Sequence, residues 1–130
     1  MESEFIKITL TGNPLSTQSI YRYTCRGRFA SCYMLKKGKE LKKHYQEEVR
    51  EQYKEKITEG DCELDIILFF GDHRKRDVDN FNKLVLDSLQ GIVFKDDSQI
   101  QKLTIAKNYS KENPRVDILL KRSENKIIDK

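Results

Sequence analysis

A short and almost wholly apolar run at residues 64–70 constrains the fold more than any other part of the sequence. Its letters, LDIILFF, include β-branched and aromatic residues and a single charge, and Gly71 follows at once. Such a run predicts a strand in the interior of a sheet. Residues 80–90 then predict a helix that stops at Gly91. Its apolar stripe consists of Phe81, Leu84, Val85 and Leu89.

Two carboxylates stand close together at this strand-to-helix junction, in the sequence Asp77-Val78-Asp79. In extended backbone, residues two apart point to the same side of the chain. Like charges about 4 Å apart would repel by roughly 4 kcal/mol at an effective dielectric constant near 20, which predicts a positive group between them. Asp79 is also predicted to be the N-cap of the helix, because Asp is among the residues preferred there.

A second acidic pair, Asp96-Asp97, follows the helix and the apolar residues 92–94. A helix of about 11 residues spans roughly 16 Å, so a tight fold could return the second pair to the first. The spacing alone leaves open whether the two pairs face each other.

The remaining periodic segments complete an α+β pattern. Residues 5–10 predict a strand, residues 19–34 predict a hairpin that turns at Arg26-Gly27 or else an ordered loop, and residues 36–53 predict a long helix. Residues 101–109 and 115–120 predict an antiparallel hairpin around the turn 110–114. We therefore expect an α+β (mixed α/β) fold in which two helices flank a sheet of about four strands plus a hairpin.

The chain is expected to form one domain over residues 1–122, with a polar tail at 123–130. Its three cysteines, Cys25, Cys32 and Cys62, contain no C-x-x-C pair and predict free thiols in a reducing compartment. No stretch approaches the roughly 18 apolar residues of a membrane span, and the N-terminus lacks the basic region of a signal peptide. These features predict a cytoplasmic protein without a membrane partner.

Positive charge is concentrated in part of the chain. Residues 20–50 contain nine Lys/Arg against three Asp/Glu, a net charge of +6, whereas the whole chain carries only +4. Taken alone, such a stretch is most simply a solvated helix face, but it is combined here with a carboxylate cluster. Cations that track phosphates beside carboxylates that need a cation are typical of a metal-dependent nuclease or polymerase-like site. The candidate DNA contacts are Arg74, Lys75, Arg76, Arg26 and Arg28.

The carboxylates are the main chemistry that the sequence offers, because it contains no phosphate-binding loop, dinucleotide fingerprint or hydrolase elbow. Carboxylate ligands without a Cys/His cluster favour Mg²⁺ or Mn²⁺, and no small-molecule cofactor beyond the metal is expected. The reaction then implied is attack of a metal-activated water on a phosphodiester. Lys83, one turn after Asp79, could neutralise charge in the transition state, or it could be an ordinary exposed helix lysine.

The sequence RDVDNFNK at residues 76–83, followed by Asp87, DDSQI at 96–100 and ENPRV at 112–116, resembles the RusA family of Holliday junction resolvases. That family is known largely from bacteria, their phages and prophages. The resemblance implies a homodimeric, Mg²⁺- or Mn²⁺-dependent endodeoxyribonuclease that cuts four-way DNA junctions by paired nicks. It implies that Asp77, Asp79 and Asp97 are the catalytic, metal-binding aspartates and that Lys83 is the essential lysine. Asp96 is a possible additional ligand.

Two other functions remain open at this stage. The first is a metal nuclease that acts on flaps, forks or plain duplex DNA. The second is a non-catalytic DNA-binding module, in which the carboxylates cap a helix and pair with Arg74, Lys75 and Arg76. The N-terminal third matches the family less well, because residues 15–19 are uncharged where relatives commonly carry basic residues.

Overall fold

The fold is built on the strand that the apolar run predicts, and it is described here from a computed structural model that covers residues 5–27 and 29–122. Arg28, the side chain of Arg26 and the tail 123–130 lie outside the described residues. The elements are β1 (Phe5–Thr11), α1 (Thr17–Ile20), β2 (Tyr21–Arg26), β3 (Phe29–Met34), α2 (Lys36–Gln52), β4 (Cys62–Phe70), α3 (Asn82–Leu89), β5 (Ile100–Tyr109) and β6 (Arg115–Arg122). Two 3₁₀ turns, Val78–Asn80 and Asp97–Gln99, precede α3 and β5.

Four strands form one sheet in the order β1-β6-β4-β5, and β2 pairs with β3 in a separate hairpin. The predicted α+β class is confirmed, as is the interior position of β4. Alternate residues of β4 are buried against the helices. These residues are Cys62, Leu64, Ile66, Leu68 and Phe70. In the described part of the chain, no helix combines the length and the apolar character that crossing a membrane requires.

The predicted hairpin of the last two strands is wrong. β4 lies between β5 and β6, pairing parallel with β5 and antiparallel with β6. The parallel pair is possible because residues 71–99, which contain α3, form the long crossover that parallel strands need. The segment 110–114 therefore passes over the end of β4, where the backbone N–H of Ser110 donates to the carbonyl of Phe70 at 2.8 Å. The most apolar strand thus takes one of the two interior places in the sheet.

The predicted N-cap of α3 is also wrong. The helix begins at Asn82 with Phe81 in the cap position and no side-chain cap, while Asp79 lies inside the first 3₁₀ turn. The ring of Phe81 is buried and packs edge-on against Phe70, with 5.0 Å between the ring centroids. This contact holds Phe81 in a non-helical backbone conformation and delays the helix. The predicted stripe is nonetheless buried, and Gly91 follows the helix end with φ of 88°.

Helix α2 approaches α1 and β3 closely at a glycine, which gives a first prediction. A Cβ added to Gly38 would lie 2.8 Å from the Cβ of Ile20 and 3.1 Å from its carbonyl oxygen. Gly38→Ala gains about 1 kcal/mol of helix propensity, but overpacking costs about 1–3 kcal/mol, so we expect a net loss of stability. Gly60→Ala is the control, because no atom lies within 4 Å of its added Cβ. Equal urea midpoints for the two variants would contradict the close approach.

Candidate nucleic-acid interface

The loop that follows β4 is organised by Asp72. Its Oδ1 accepts the backbone N–H of Arg74 at 3.0 Å and the Nη2 of Arg76 at 2.8 Å. The backbone hydrogen bond from Arg74 and then the Arg76 side chain hold the pKa of Asp72 below its usual value. A carboxylate that accepts the N–H two residues later is a recurrent turn-forming contact of Asp. The basic triplet is therefore arranged around Asp72 rather than around Asp77 and Asp79.

The three predicted DNA contacts in this loop have different environments. The guanidinium of Arg76 lies 4.2 Å from the centre of the Phe70 ring and is only 18% exposed. It also donates to the carbonyls of Asp72 and Arg74 at 3.2 and 3.4 Å. The side chain of Arg74, by contrast, is 82% exposed, and Lys75 is exposed as well. Arg76 thus holds the loop together, whereas Arg74 and Lys75 face solvent where a phosphate could reach them.

This difference gives a second prediction. Replacing Arg74 and Lys75 together with Ala should weaken DNA binding for every sequence and make the log-affinity versus log-salt slope shallower by up to about 2, since each lost phosphate contact lowers the slope by about 1. Arg76→Ala should instead lower the melting temperature, because it leaves Asp72 without its closest cation. Titrations at several salt concentrations and thermal melts measure the two effects. An unchanged slope in the double variant would place the binding face elsewhere.

Asp77 and Asp79 flank the first residue of the first 3₁₀ turn, which lies against β5. The carbonyl of Asp77 accepts the backbone N–H of Asn80 at 3.2 Å, but neither carboxylate caps a helix. Both side chains are exposed, and within residues 5–27 and 29–122 neither has a hydrogen-bond or ion-pair partner. A positive group was predicted between Asp77 and Asp79. The arginines of the basic triplet do not supply it, because Arg74 and Arg76 pair with Asp72.

Asp96 and Asp97, the second acidic pair, have different roles. Asp96 caps the second 3₁₀ turn, where its Oδ2 accepts the backbone N–H of Ser98 at 3.2 Å. Hydrogen bonds from Ser98, first from its side chain and then from its backbone, lower the pKa of Asp96. Asp97, the first residue of the turn, is exposed, and its carboxylate has no hydrogen-bond or ion-pair partner in the described part of the chain. Its carboxylate is therefore the more available ligand of the two.

Gln99 fixes this turn, and the sequence analysis did not single it out. Its Oε1 accepts the backbone N–H groups of Lys95 and Asp96, both at 2.9 Å. Its Nε2 donates to the carbonyls of Thr58 and Gly60 at 2.8 and 2.9 Å. The pattern Asp-x-x-Gln is a capping box, and it could have been found from the sequence. Gln99 thus anchors the backbone that carries Asp97 to the segment before β4.

The structure does not bring all three predicted metal ligands together. Asp77 and Asp79 follow the end of β4, whereas Asp97 precedes the start of β5, and the parallel register pairs Cys62 with Ile100 and Phe70 with Tyr109. Among the described residues, no three His, Cys, Asp or Glu side chains converge into a group that could hold a metal ion. Asp77 and Asp79 lie two residues apart at one turn, and Asp97 does not complete a three-carboxylate group with them.

Lys83 is exposed on the first turn of α3, beside the hairpin. Its Nζ lies 4.9 Å from the centre of the Tyr21 ring, and the Tyr21 hydroxyl donates to Oδ2 of Asp87 at 2.9 Å. The hydroxyl of Thr17 donates to the carbonyl of Asn80 at 2.9 Å. Helix α1 and the first residue of the hairpin therefore support the segment that carries the acidic pair and the lysine. No local sequence pattern links Tyr21 to Asp87, so this contact could not be predicted.

An open groove of about 460 Å³ lies between the uncharged segment 14–19 and the basic loop. It is lined by residues from both sides. They are Pro14, Leu15, Ser16, Gln18, Ser19, Arg74, Lys75, Arg76, Asp77, Asn80 and Phe81. Exposed cations and unpaired carboxylates beside a polar groove, at the end of a parallel strand pair, are typical of proteins that act on nucleic acid.

Comparison with known protein families identifies the family to which the chain belongs. The sequence model of the family described as "Endodeoxyribonuclease RusA" matches residues 12–121, and the chain belongs to this family. A relative, "Uncharacterized protein YqaN" of Bacillus subtilis (strain 168), is 47% identical over 47 residues. That alignment covers 36% of this chain and 32% of the relative, so the match spans about a third of the relative's length.

Proposed function

We propose that this chain is a Mg²⁺-dependent endonuclease that resolves four-way DNA junctions by paired symmetric nicks, with Mn²⁺ able to replace Mg²⁺. Family membership supports the reaction class. The observation that carries the proposal is the exposed, unpaired state of Asp77 and Asp79 next to cations that a different residue, Asp72, has engaged. Carboxylates left without a protein partner in this setting are available to a metal ion.

The donor set fits Mg²⁺ in kind and number. Mg²⁺ usually keeps several waters and is held by one or two carboxylates together with substrate phosphates. Asp77 and Asp79 supply such a pair. Asp97 is proposed as a third ligand on the family resemblance alone, because the structure does not bring it into one group with them. When bound, the ion would polarise the phosphodiester and lower the pKa of an attacking water.

The remaining residues have roles that follow from their contacts. Arg74 and Lys75 are proposed to bind the phosphate backbone, because their charges face solvent. Lys83 is proposed to stabilise the negative charge that develops on the phosphate, since positioned cations lower the energy of such a transition state. Tyr21 contacts both Lys83 and Asp87 and would limit the positions that the lysine side chain adopts.

The non-catalytic alternative has lost its structural basis. It required Asp79 to cap α3 and the acidic pair to be neutralised by the basic triplet. In the structure, α3 has no side-chain cap, and the ion pairs of Arg74 and Arg76 are made with Asp72. A catalytic use of Asp77 and Asp79 accounts better for their exposure.

A panel of substrates tests the proposed specificity against flaps, forks and duplexes. Four-way junctions, flaps, forks and linear duplexes of one common sequence are incubated with the protein and Mg²⁺, and the nicked strands are mapped. We expect paired nicks at symmetric positions in the junction and little cleavage of the linear duplex. Comparable rates on flaps, forks or duplex would assign the chain to the wider class of metal nucleases.

Paired nicks also predict the assembly. A four-way junction has two-fold symmetry, and one chain carries one acidic site, so two sites related by a two-fold axis are needed. We expect a C2 homodimer, which light scattering at micromolar concentration measures. A monomeric mass together with intact paired cleavage would refute this arrangement.

A further inference from the structure

We propose that the stacked rings of His73 and Tyr109 form a platform that binds one unpaired DNA base. This inference rests on the proposed function only in taking DNA as the substrate. It assigns a second contact type, stacking on a base, beside the phosphate contacts of the basic loop.

The two rings already have the geometry of a stack. Their centroids lie 3.8 Å apart and their planes differ by 22°. Each ring covers only one face of the other, and both side chains remain exposed, Tyr109 by 37%. A base, which offers a π face of similar size, can extend this stack.

The platform is held on rigid backbone. Tyr109 is the last residue of β5 and pairs with Phe70, the last residue of β4. The side chain of Asn108 accepts the backbone N–H of Tyr109 at 2.8 Å. His73 lies in the loop whose turn is fixed by Asp72. The stack therefore stands at the carboxyl ends of two parallel strands, a position where ligands commonly bind in sheets that contain such pairs.

The surroundings favour a nucleotide over an uncharged aromatic ligand. A depression of about 270 Å³ adjoins the stack, and its lining includes Arg74, Lys107 and Asn108. The exposed guanidinium of Arg74 offers a contact for the phosphate of the same nucleotide. His73 precedes Asp77 by four residues, so their Cα atoms lie within about 14 Å of each other. A base on the platform would thus be held close to the acidic pair.

Binding of single-stranded oligonucleotides tests the platform without cleavage. A fluorescent oligothymidine and an abasic oligonucleotide of the same length and charge are titrated in EDTA, and anisotropy gives the two affinities. We expect the wild-type protein to prefer the oligonucleotide that carries bases. Tyr109→Ala and His73→Ala should lose roughly 5- to 150-fold in affinity for it, the range that corresponds to removal of one base stack, and should bind the abasic strand as before.

Two variants control for general effects. Tyr109→Phe keeps the ring and should keep the preference. Phe5→Ala removes another exposed aromatic ring, on β1 at the opposite edge of the sheet, and should leave both affinities unchanged. If Tyr109→Ala proves unstable, His73→Ala is the variant that tests the platform. Its replacement should not affect folding, because His73 is an exposed loop residue.

Two results would refute the proposed base-binding platform. The wild-type protein could bind both oligonucleotides equally well, or the preference for bases could survive removal of either ring in a folded variant. The assay needs neither metal nor a junction. Failure of junction cleavage would therefore refute the proposed function and leave this inference standing, and the reverse result is equally distinguishable.

Discussion

Asp79→Asn should lower the rate of junction cleavage by about two to three orders of magnitude, the size of loss that follows removal of one group that stabilises transition-state charge. An amide oxygen is a weaker ligand for Mg²⁺ and carries no negative charge. The fold should survive, because the carboxylate of Asp79 is exposed and caps no helix. Junction affinity, measured in Ca²⁺ or EDTA, should hold level or rise, since a negative charge beside the scissile phosphate has been removed.

The acidic residues supply matched controls for this experiment. Asp77→Asn should behave like Asp79→Asn. Asp97→Asn tests the ligand that rests on the family resemblance alone, because the structure does not place Asp97 in one group with Asp77 and Asp79. Asp96→Asn should keep cleavage, because asparagine caps a helical turn as well as aspartate does and Asp96 is engaged as a cap. Lys83→Ala should lose turnover with a smaller loss of affinity. A folded Asp79→Asn variant that cleaves junctions at the wild-type rate would exclude Asp79 from the metal site.

Removal of divalent cations should abolish cleavage altogether. The carboxylates of Asp77 and Asp79 have no partner among the described residues, so without a metal they would repel the phosphodiester rather than activate it. Cleavage should return on addition of Mg²⁺ or Mn²⁺ in excess of the chelator. Full cleavage in excess EDTA would refute a metal-dependent mechanism.

Thermal stability gives a readout of metal binding that does not depend on activity. A ligand at ten times its dissociation constant stabilises the native state by about 1.4 kcal/mol, so Mg²⁺ should raise the melting temperature of the wild-type protein. The increase should be smaller in Asp77→Asn and Asp79→Asn. It should be unchanged in Asp65→Asn, an exposed carboxylate on β4 that accepts a hydrogen bond from Thr104. A similar rise in all variants would indicate nonspecific ion binding.

The secondary structure could be read from the sequence because its signals are local. The alternation and apolar content of β4, the stripe of α3 and the turn at Gly27, with φ of 60°, depend on residues that are neighbours in the chain. The hairpin β2-β3 and the long helix α2 are confirmed for the same reason. The insertion of β4 between β5 and β6 was not predicted. The turn residues at 110–114 indicate that the chain changes direction, but they do not indicate which strand the next one pairs with.

The site shows a similar division. The acidic residues, the lysine and the basic triplet could be named from the sequence, and the family match agrees with their motif. The ion-pair partners of these charged residues could not be predicted from the sequence. Three aspartates lie near Arg74 and Arg76 in the chain, namely Asp72, Asp77 and Asp79. The backbone N–H of Arg74 favours Asp72, and this hydrogen bond exists only once the loop has turned at the end of β4.

By itself, the sequence determined the six strands, the two longer helices, the buried face of α3 and the family to which the chain belongs, because these depend on local periodicity and short motifs. The short helix α1 and the two 3₁₀ turns were not predicted. The tertiary structure decided the strand order, the pairing of Asp72 with the arginines, and the stacking of His73 on Tyr109, 36 positions apart. The paired strands and the stacked rings join residues that are distant in the chain, whereas Asp72 lies close to Arg74 and Arg76 but is only one of three aspartates near them in the sequence. The energies of these contacts depend on the whole packed arrangement, so no local pattern of residues encodes them.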